Sequence, residues 1–165
     1  MRKIAYSILP ALLLVWGCGN AQKQQSSQLT FTLIHKKIEK SKDSHQAITR
    51  YLLQGDELIV TNQYKGGRRG SSNETKKHHL TSEKISEIST YFTQNDFYQD
   101  ITAKGAQQVV PGIFRDISLK ITKKGQAYNL SYAGGYKFGK SRGETNKTYK
   151  QLIRFERFLK KMLRK

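Results

Sequence analysis

The chain has 165 residues and a formal charge of +18, from 30 Lys and Arg against 12 Asp and Glu. That length holds one domain and excludes a solenoid array, a TIM barrel or a two-domain enzyme. Nine Tyr, seven Phe and regular aliphatic runs supply a core despite the charge, while a single Cys excludes an internal disulfide framework and a Cys-rich zinc site.

Arg2 and Lys3 open the chain with positive charge, and residues 4–16 are apolar apart from Ser7 and Pro10. This is the length of a signal-peptide core and short of the roughly 20 apolar residues that span a bilayer. The sequence Val15-Trp16-Gly17-Cys18 that follows resembles the lipobox of bacterial lipoproteins, with Trp16 bulkier than the family's usual residue. The resemblance implies cleavage before Cys18, lipidation of Cys18 and membrane anchoring in a Gram-negative cell envelope, at the outer membrane or facing the periplasm. The alternative is cleavage after Gly19-Asn20-Ala21, a small-x-small site, which gives a soluble periplasmic or secreted protein starting at Gln22. The expected division is a signal peptide over 1–17, a polar Gln/Ser-rich tether over 18–28 and one domain over 29–165.

Leu29, Phe31 and Leu33 alternate with Thr30 and Thr32, the period of a half-buried strand. A polar turn near Lys40 to Asp43 leads to a second strand ending at Tyr51-Leu52-Leu53. Gly55-Asp56 turns the chain into Leu58-Ile59-Val60, completing a hairpin. Residues 66–73, with Arg68 and Arg69, read as a loop. Thr81 then caps a helix with Glu83 in its first turn, and Ile85, Ile88 and Phe92 share one face as far as Asn95. A longer loop is expected over 102–114. Ile117, Leu119 and Ile121, the turn Lys123-Lys124-Gly125, and Ala127, Tyr128, Leu130 and Tyr132 form a second hairpin. A glycine-rich stretch over 134–143 precedes a last helix from about Asn146 to Met162. The predicted class is α+β: an antiparallel sheet of two β-hairpins with two helices packed on one face.

Two short motifs occur in the glycine-rich stretch and fail on context. Gly134-x4-Gly139-Lys140-Ser141 matches a phosphate-binding loop, but Arg142-Gly143 interrupts the required helix and no Asp follows Asp116. Gly139-Lys140-Ser141-Arg142-Gly143 matches a nucleophile elbow, but the last His is His79, so no base follows the Ser. His78-His79 are adjacent and would point to opposite faces of a strand. His35 and His45 could approach across a strand pair, without a carboxylate cluster to complete a metal site. No carboxylate pair suggests acid–base chemistry. The expectation is a non-catalytic protein with no cofactor and no metal.

The last helix carries the one directional signal. Lys147, Lys150, Arg154, Arg157, Lys161 and Arg164 recur at gaps of three and four, forming one stripe, and Tyr149, Leu152, Ile153, Phe155, Phe158, Leu159, Met162 and Leu163 occupy the rest of the circumference. Glu156 is the only acid inside it. A solvated face on a basic protein is the ordinary reading of such a stripe. The functional reading is an anion-binding surface for anionic lipid, lipopolysaccharide, an acidic protein or a polyanionic glycan. Tyr132, Tyr136 and Phe138 beside Lys137 and Lys140 would suit nucleic acid, but export argues against that partner, so no nucleic acid is expected.

The order of a hairpin, a helix from Leu80-Thr81-Ser82-Glu83 to Phe97-Tyr98, a hairpin containing Asp116-Ile117-Ser118-Leu119 and a terminal amphipathic helix resembles small domains of unknown function in bacterial lipoproteins. More distantly it is similar in layout to emfourin-type metalloprotease inhibitors. The resemblance implies an envelope binding or structural module. Its alternative is a secreted inhibitor of a protease or partner enzyme, using a loop such as 66–73 or 104–114.

Overall fold

The computed structural model describes residues 29–40, 44–67, 70–105, 112–137 and 146–164. Cys18, the expected signal peptide and tether, and Gly139 to Gly143 of the two short motifs lie outside the described residues. The elements are β1 (Thr30–Lys40), β2 (His45–Gln54), β3 (Glu57–Gly66), β4 (Ser72–His79), α1 (Ser82–Gln94), β5 (Ile101–Lys104), β6 (Gly112–Lys123), β7 (Gln126–Lys137) and α2 (Lys147–Met162). The strands form one sheet in the order β4-β3-β2-β1-β6-β7-β5. Five neighbouring pairs are antiparallel, and β5 lies parallel to β7.

This architecture corrects the expected α+β fold with a two-hairpin sheet. Strands hold 57% of the described residues, so the protein is mostly β, with a seven-stranded mixed sheet. The two unpredicted strands are at the edges. Ser72–His79 has no apolar alternation because β3 is its only neighbour and every residue but His78 is exposed. Its Lys76 and Lys77 also suit an edge, where charge discourages pairing with another chain. Ile101–Lys104 falls in the stretch expected to be a loop and is held by its register with Leu130 to Ala133 of β7, a partner remote in sequence. The strand β7 likewise runs on through Gly134 to Lys137, into the stretch expected as loop.

The register explains the core. Phe31 aligns with Leu53 and Ile121, Leu33 with Tyr51 and Leu119, and His35 with Thr49 and Ile117. Period two puts all nine residues on one face of the sheet. Both helices pack there: the Phe92 ring of α1 lies 5.7 Å from Phe31, the Phe155 ring of α2 lies 5.4 Å from it, and the two are 4.7 Å apart. Leu33, Leu53, Leu58, Ile88, Phe92, Leu152 and Phe155 are fully buried. Each such side chain stabilises the fold by roughly 1.5–3 kcal/mol relative to exposure.

The connections aim the helices. Leu80 N–H donates to Asp56 O across the β2–β3 turn (2.8 Å), and the Thr81 hydroxyl accepts from Lys84 N–H, so α1 starts at that end of the sheet. It carries the chain from edge strand β4 to edge strand β5 over the core face. Its exit is sharp, because Asp96 takes a positive φ of 54° and Phe97 N–H returns to Phe92 O. At the β5 edge, Gly134 is there for close approach: a Cβ on it would lie 2.7 Å from the Cα of Gly105 and would collide with the Tyr132 hydroxyl. The first glycine of the apparent phosphate-loop motif thus has a packing explanation in a β-strand.

Candidate functional site

Helix α2 begins at Asn146, whose side-chain oxygen accepts the Tyr149 N–H at 3.0 Å and satisfies one otherwise orphaned donor. Tyr149, Leu152, Phe155, Leu159 and Met162 are buried against the sheet and α1. Lys147, Lys150, Arg154, Arg157, Lys161 and Arg164 are all exposed: the first five form the solvent-facing ridge of α2, and Arg164 follows just past the helix end. None of them pairs with an acidic side chain among the described residues. Lys160, outside the stripe, is the α2 cation that does. No acid stands in the first turn, where Lys147 and Lys150 add positive charge to the positive end of the helix dipole.

Glu156, the one acid of this helix, faces inward and does nothing to neutralise the ridge. It is 5% exposed, accepting from His35 Nδ1 at 2.9 Å and from Lys160 Nζ at 2.7 Å. An ionised carboxylate only accepts, so Nδ1 carries the ring proton that is shared. The His35 Nε2 is buried and has no hydrogen-bond partner among the described residues. Burial pushes Glu156 up, but the hydrogen bonds and charges of His35 and Lys160 together hold it below the ordinary carboxylate range. Tyr51 is driven well above the usual phenol range by burial and then by the negative charge of Glu156.

His35 and His45 are not brought together. Strand register sets His35 opposite Thr49 and His45 opposite Glu39, and the His45 Nε2 lies 3.1 Å from the Glu39 carboxylate. His78 and His79 sit on β4 opposite Leu58 and Glu57, and His79 lies 3.6 Å from Asp56. Among the described residues no group of three His, Cys, Asp or Glu side chains could hold a metal ion. Of the two loops considered for inhibition, Ser72 and Asn73 belong to β4, Lys104 ends β5, and Gly112 to Phe114 open β6.

A cleft of about 520 Å³ opens where the end of α1 meets the start of α2. Lys147, Lys150 and Arg154 line it from α2, and Tyr91, Asn95, Asp96 and Gln99 line it from α1 and its exit, with Gln151 of α2 between, so one carboxylate faces the three cations. The structure therefore brings half of the cationic stripe to a concave surface, while Arg157 and Arg164 stay outside it. Burial pushes the Tyr91 phenol up, partly offset by the nearby charge of Arg154. Further along the same helix pair, Lys161 lines a smaller depression with Phe158, Met162, Lys84 and Glu87. The carboxamides were invisible to sequence reasoning, because only the crossing of α1 over α2 brings Asn95 and Gln99 to Gln151. No protein-family model matches the chain, and no curated protein is similar to it.

Proposed function

We propose that this protein is a non-catalytic binding module of the cell envelope, exported and tethered through Cys18, that presents α2 to an anionic partner. The observation that carries the reading is the exposed ridge of Lys147, Lys150, Arg154, Arg157, Lys161 and Arg164, with Glu156 withdrawn from it to His35 and Lys160. Like charges at these spacings repel along the helix and oppose its dipole at the N-terminal end, a local cost that an anion would remove. A cluster of this kind attracts anionic surfaces over about a Debye length, ~8–10 Å at physiological salt.

The test is salt-titrated binding of the full chain to vesicles containing phosphatidylglycerol, with phosphatidylcholine vesicles as the control, alongside the soluble polyanion tripolyphosphate. Binding to at least one anionic probe should weaken steeply with salt and fall when Arg154, Arg157 and Lys161 become Gln. Binding that survives high salt, or that ignores this triple change, removes the reading. The intact mass of the protein from a membrane fraction tests the tether separately, since acyl chains on Cys18 have a defined mass.

A further inference from the structure

We propose that the α1–α2 cleft is a binding site for an anionic saccharide, a sugar ring bearing a carboxylate or phosphate beside free hydroxyls. This rests on the anion-facing reading of α2 and adds the chemical class of the ligand. The two walls of the cleft differ in what they offer. From α2 come three exposed cations, Lys147, Lys150 and Arg154. The opposite side offers acceptors: the Asp96 carboxylate, and the carboxamides of Asn95, Gln99 and the intervening Gln151 of α2, each of which commits one of its two side-chain N–H groups to a main-chain carbonyl at the end of α1. Asn95 Nδ2 donates to Tyr91 O at 2.9 Å, Gln99 Nε2 donates to Asp96 O, and Gln151 Nε2 donates to Asn95 O.

These bonds orient the carboxamides and leave their side-chain oxygens with no donor among the described residues. A carboxamide oxygen has two lone pairs, so each remains an acceptor for a ligand O–H. Cations along one side and fixed acceptors along the other match a molecule with an acid group at one edge and hydroxyls at the other. A bare polyanion would satisfy the cations and leave the oxygens unmatched. An acyl chain would meet a polar lining. A nucleobase would need an open aromatic face, and the Tyr91 ring is already stacked on Phe158 at 4.4 Å. The volume falls within the ~300–1,000 Å³ of small-molecule sites.

The chemistry is shared by a free acidic saccharide and by the headgroup of an acidic glycolipid, and the experiment separates them. Calorimetry of the full chain with oligogalacturonate, its methyl ester and tripolyphosphate reads the ligand class. Oligogalacturonate should bind at least about tenfold tighter than either of the others, the ratio expected when a charged group or a set of hydroxyl bonds is missing. Lys150→Gln with Arg154→Gln should lose about tenfold or more, while Arg157→Gln with Arg164→Gln, which removes the same charge from the same ridge, should stay within about twofold. Gln99→Ala should weaken oligogalacturonate and leave tripolyphosphate unchanged. Vesicles carrying an acidic glycolipid that displace oligogalacturonate support the headgroup as source, and failure to displace it supports a free saccharide. If tripolyphosphate binds as tightly as oligogalacturonate and both cation pairs matter equally, the cleft site is refuted and the ridge alone stands. If no anionic probe binds, both readings fall.

Discussion

The buried pair of His35 and Glu156 allows a sharp test of what holds α2 to the sheet. Its geometry is closed: one carboxylate oxygen takes the His35 proton and the other takes Lys160, with Glu156 only 5% exposed. Replacing His35 by Leu strands one oxygen of a buried charge, and the lost charge-assisted bond is worth about 1.5–3 kcal/mol. Lys160 remains, and its half-exposed ammonium limits the damage, so a loss near 2 kcal/mol is expected. Replacing Glu156 by Leu leaves the His35 N–H without its acceptor, again costing about 1–3 kcal/mol. The double change removes both partners, together with the unpartnered Nε2. Swapping a buried ionic pair for apolar side chains is often neutral or stabilising. The double variant should therefore cost no more than about 1 kcal/mol relative to the parent, giving a coupling of roughly 2–5 kcal/mol. Urea unfolding of the four chains measures it. Losses that simply add in the double variant would refute the account.

The same pair sets a pH dependence with a definite sign. Glu156 titrates lower in the folded chain than its ordinary value, since the His35 and Lys160 interactions outweigh burial. Its contribution to stability is thus present above the ordinary carboxylate range, near pH ~4.3, and is lost as pH falls through the depressed folded value. In His35→Leu, burial is opposed by Lys160 alone and the folded value climbs. The acid-side loss of stability due to this group should then shrink, which unfolding midpoints across the acid range will show.

Two further perturbations test the frame that carries the cleft. Phe155 is fully buried against Phe31, Phe92 and Phe97, so Phe155→Ala should cost about 3–5 kcal/mol in unfolding free energy by chemical denaturation, and a loss under about 1 kcal/mol would contradict the packing. Gly134→Ala forces a Cβ to 2.7 Å from the Gly105 backbone, so it should cost about 1–3 kcal/mol and speed amide exchange in β5 ahead of β1.

How much was legible follows from which elements carry their own pattern. The segment 147–162 has apolar residues on one face and a capping Asn, so both its extent and its cationic ridge were readable. The same holds for the helix after Thr81 and for the central strands, where Phe31-x-Leu33 and Ile117-x-Leu119-x-Ile121 alternate. The fold class was misjudged because the edge strands carry no such pattern. Ser72–His79 pairs on one side only and is exposed apart from half-buried His78, with no core to fill, and Ile101–Lys104 is four residues recruited by β7. The inward turn of Glu156 was equally hidden, because its partner His35 lies 121 positions away. Lys147, Lys150 and Arg154 were named from spacing, whereas the carboxamides facing them became a set only through the α1–α2 crossing.

The ridge also decides how the protein should respond to salt. Within α2, Lys147, Lys150, Arg154, Arg157 and Lys161 make four successive like-charge pairs. At roughly 0.2–0.5 kcal/mol each, they oppose helix α2 by about 1–2 kcal/mol at low ionic strength. The interactions that favour α2 are of another kind: apolar burial is not weakened by salt, and the His35–Glu156 pair is buried and only weakly screened. Added sodium chloride should therefore raise the unfolding free energy by up to about 1–2 kcal/mol. The variant with Arg154, Arg157 and Lys161 changed to Gln should be more stable at low salt and respond less. A chain whose surface charges are mainly paired would weaken as its pairs are screened. A flat or falling stability with salt would mean that the ridge is neutralised from within the chain, and the argument for an external anion would go with it.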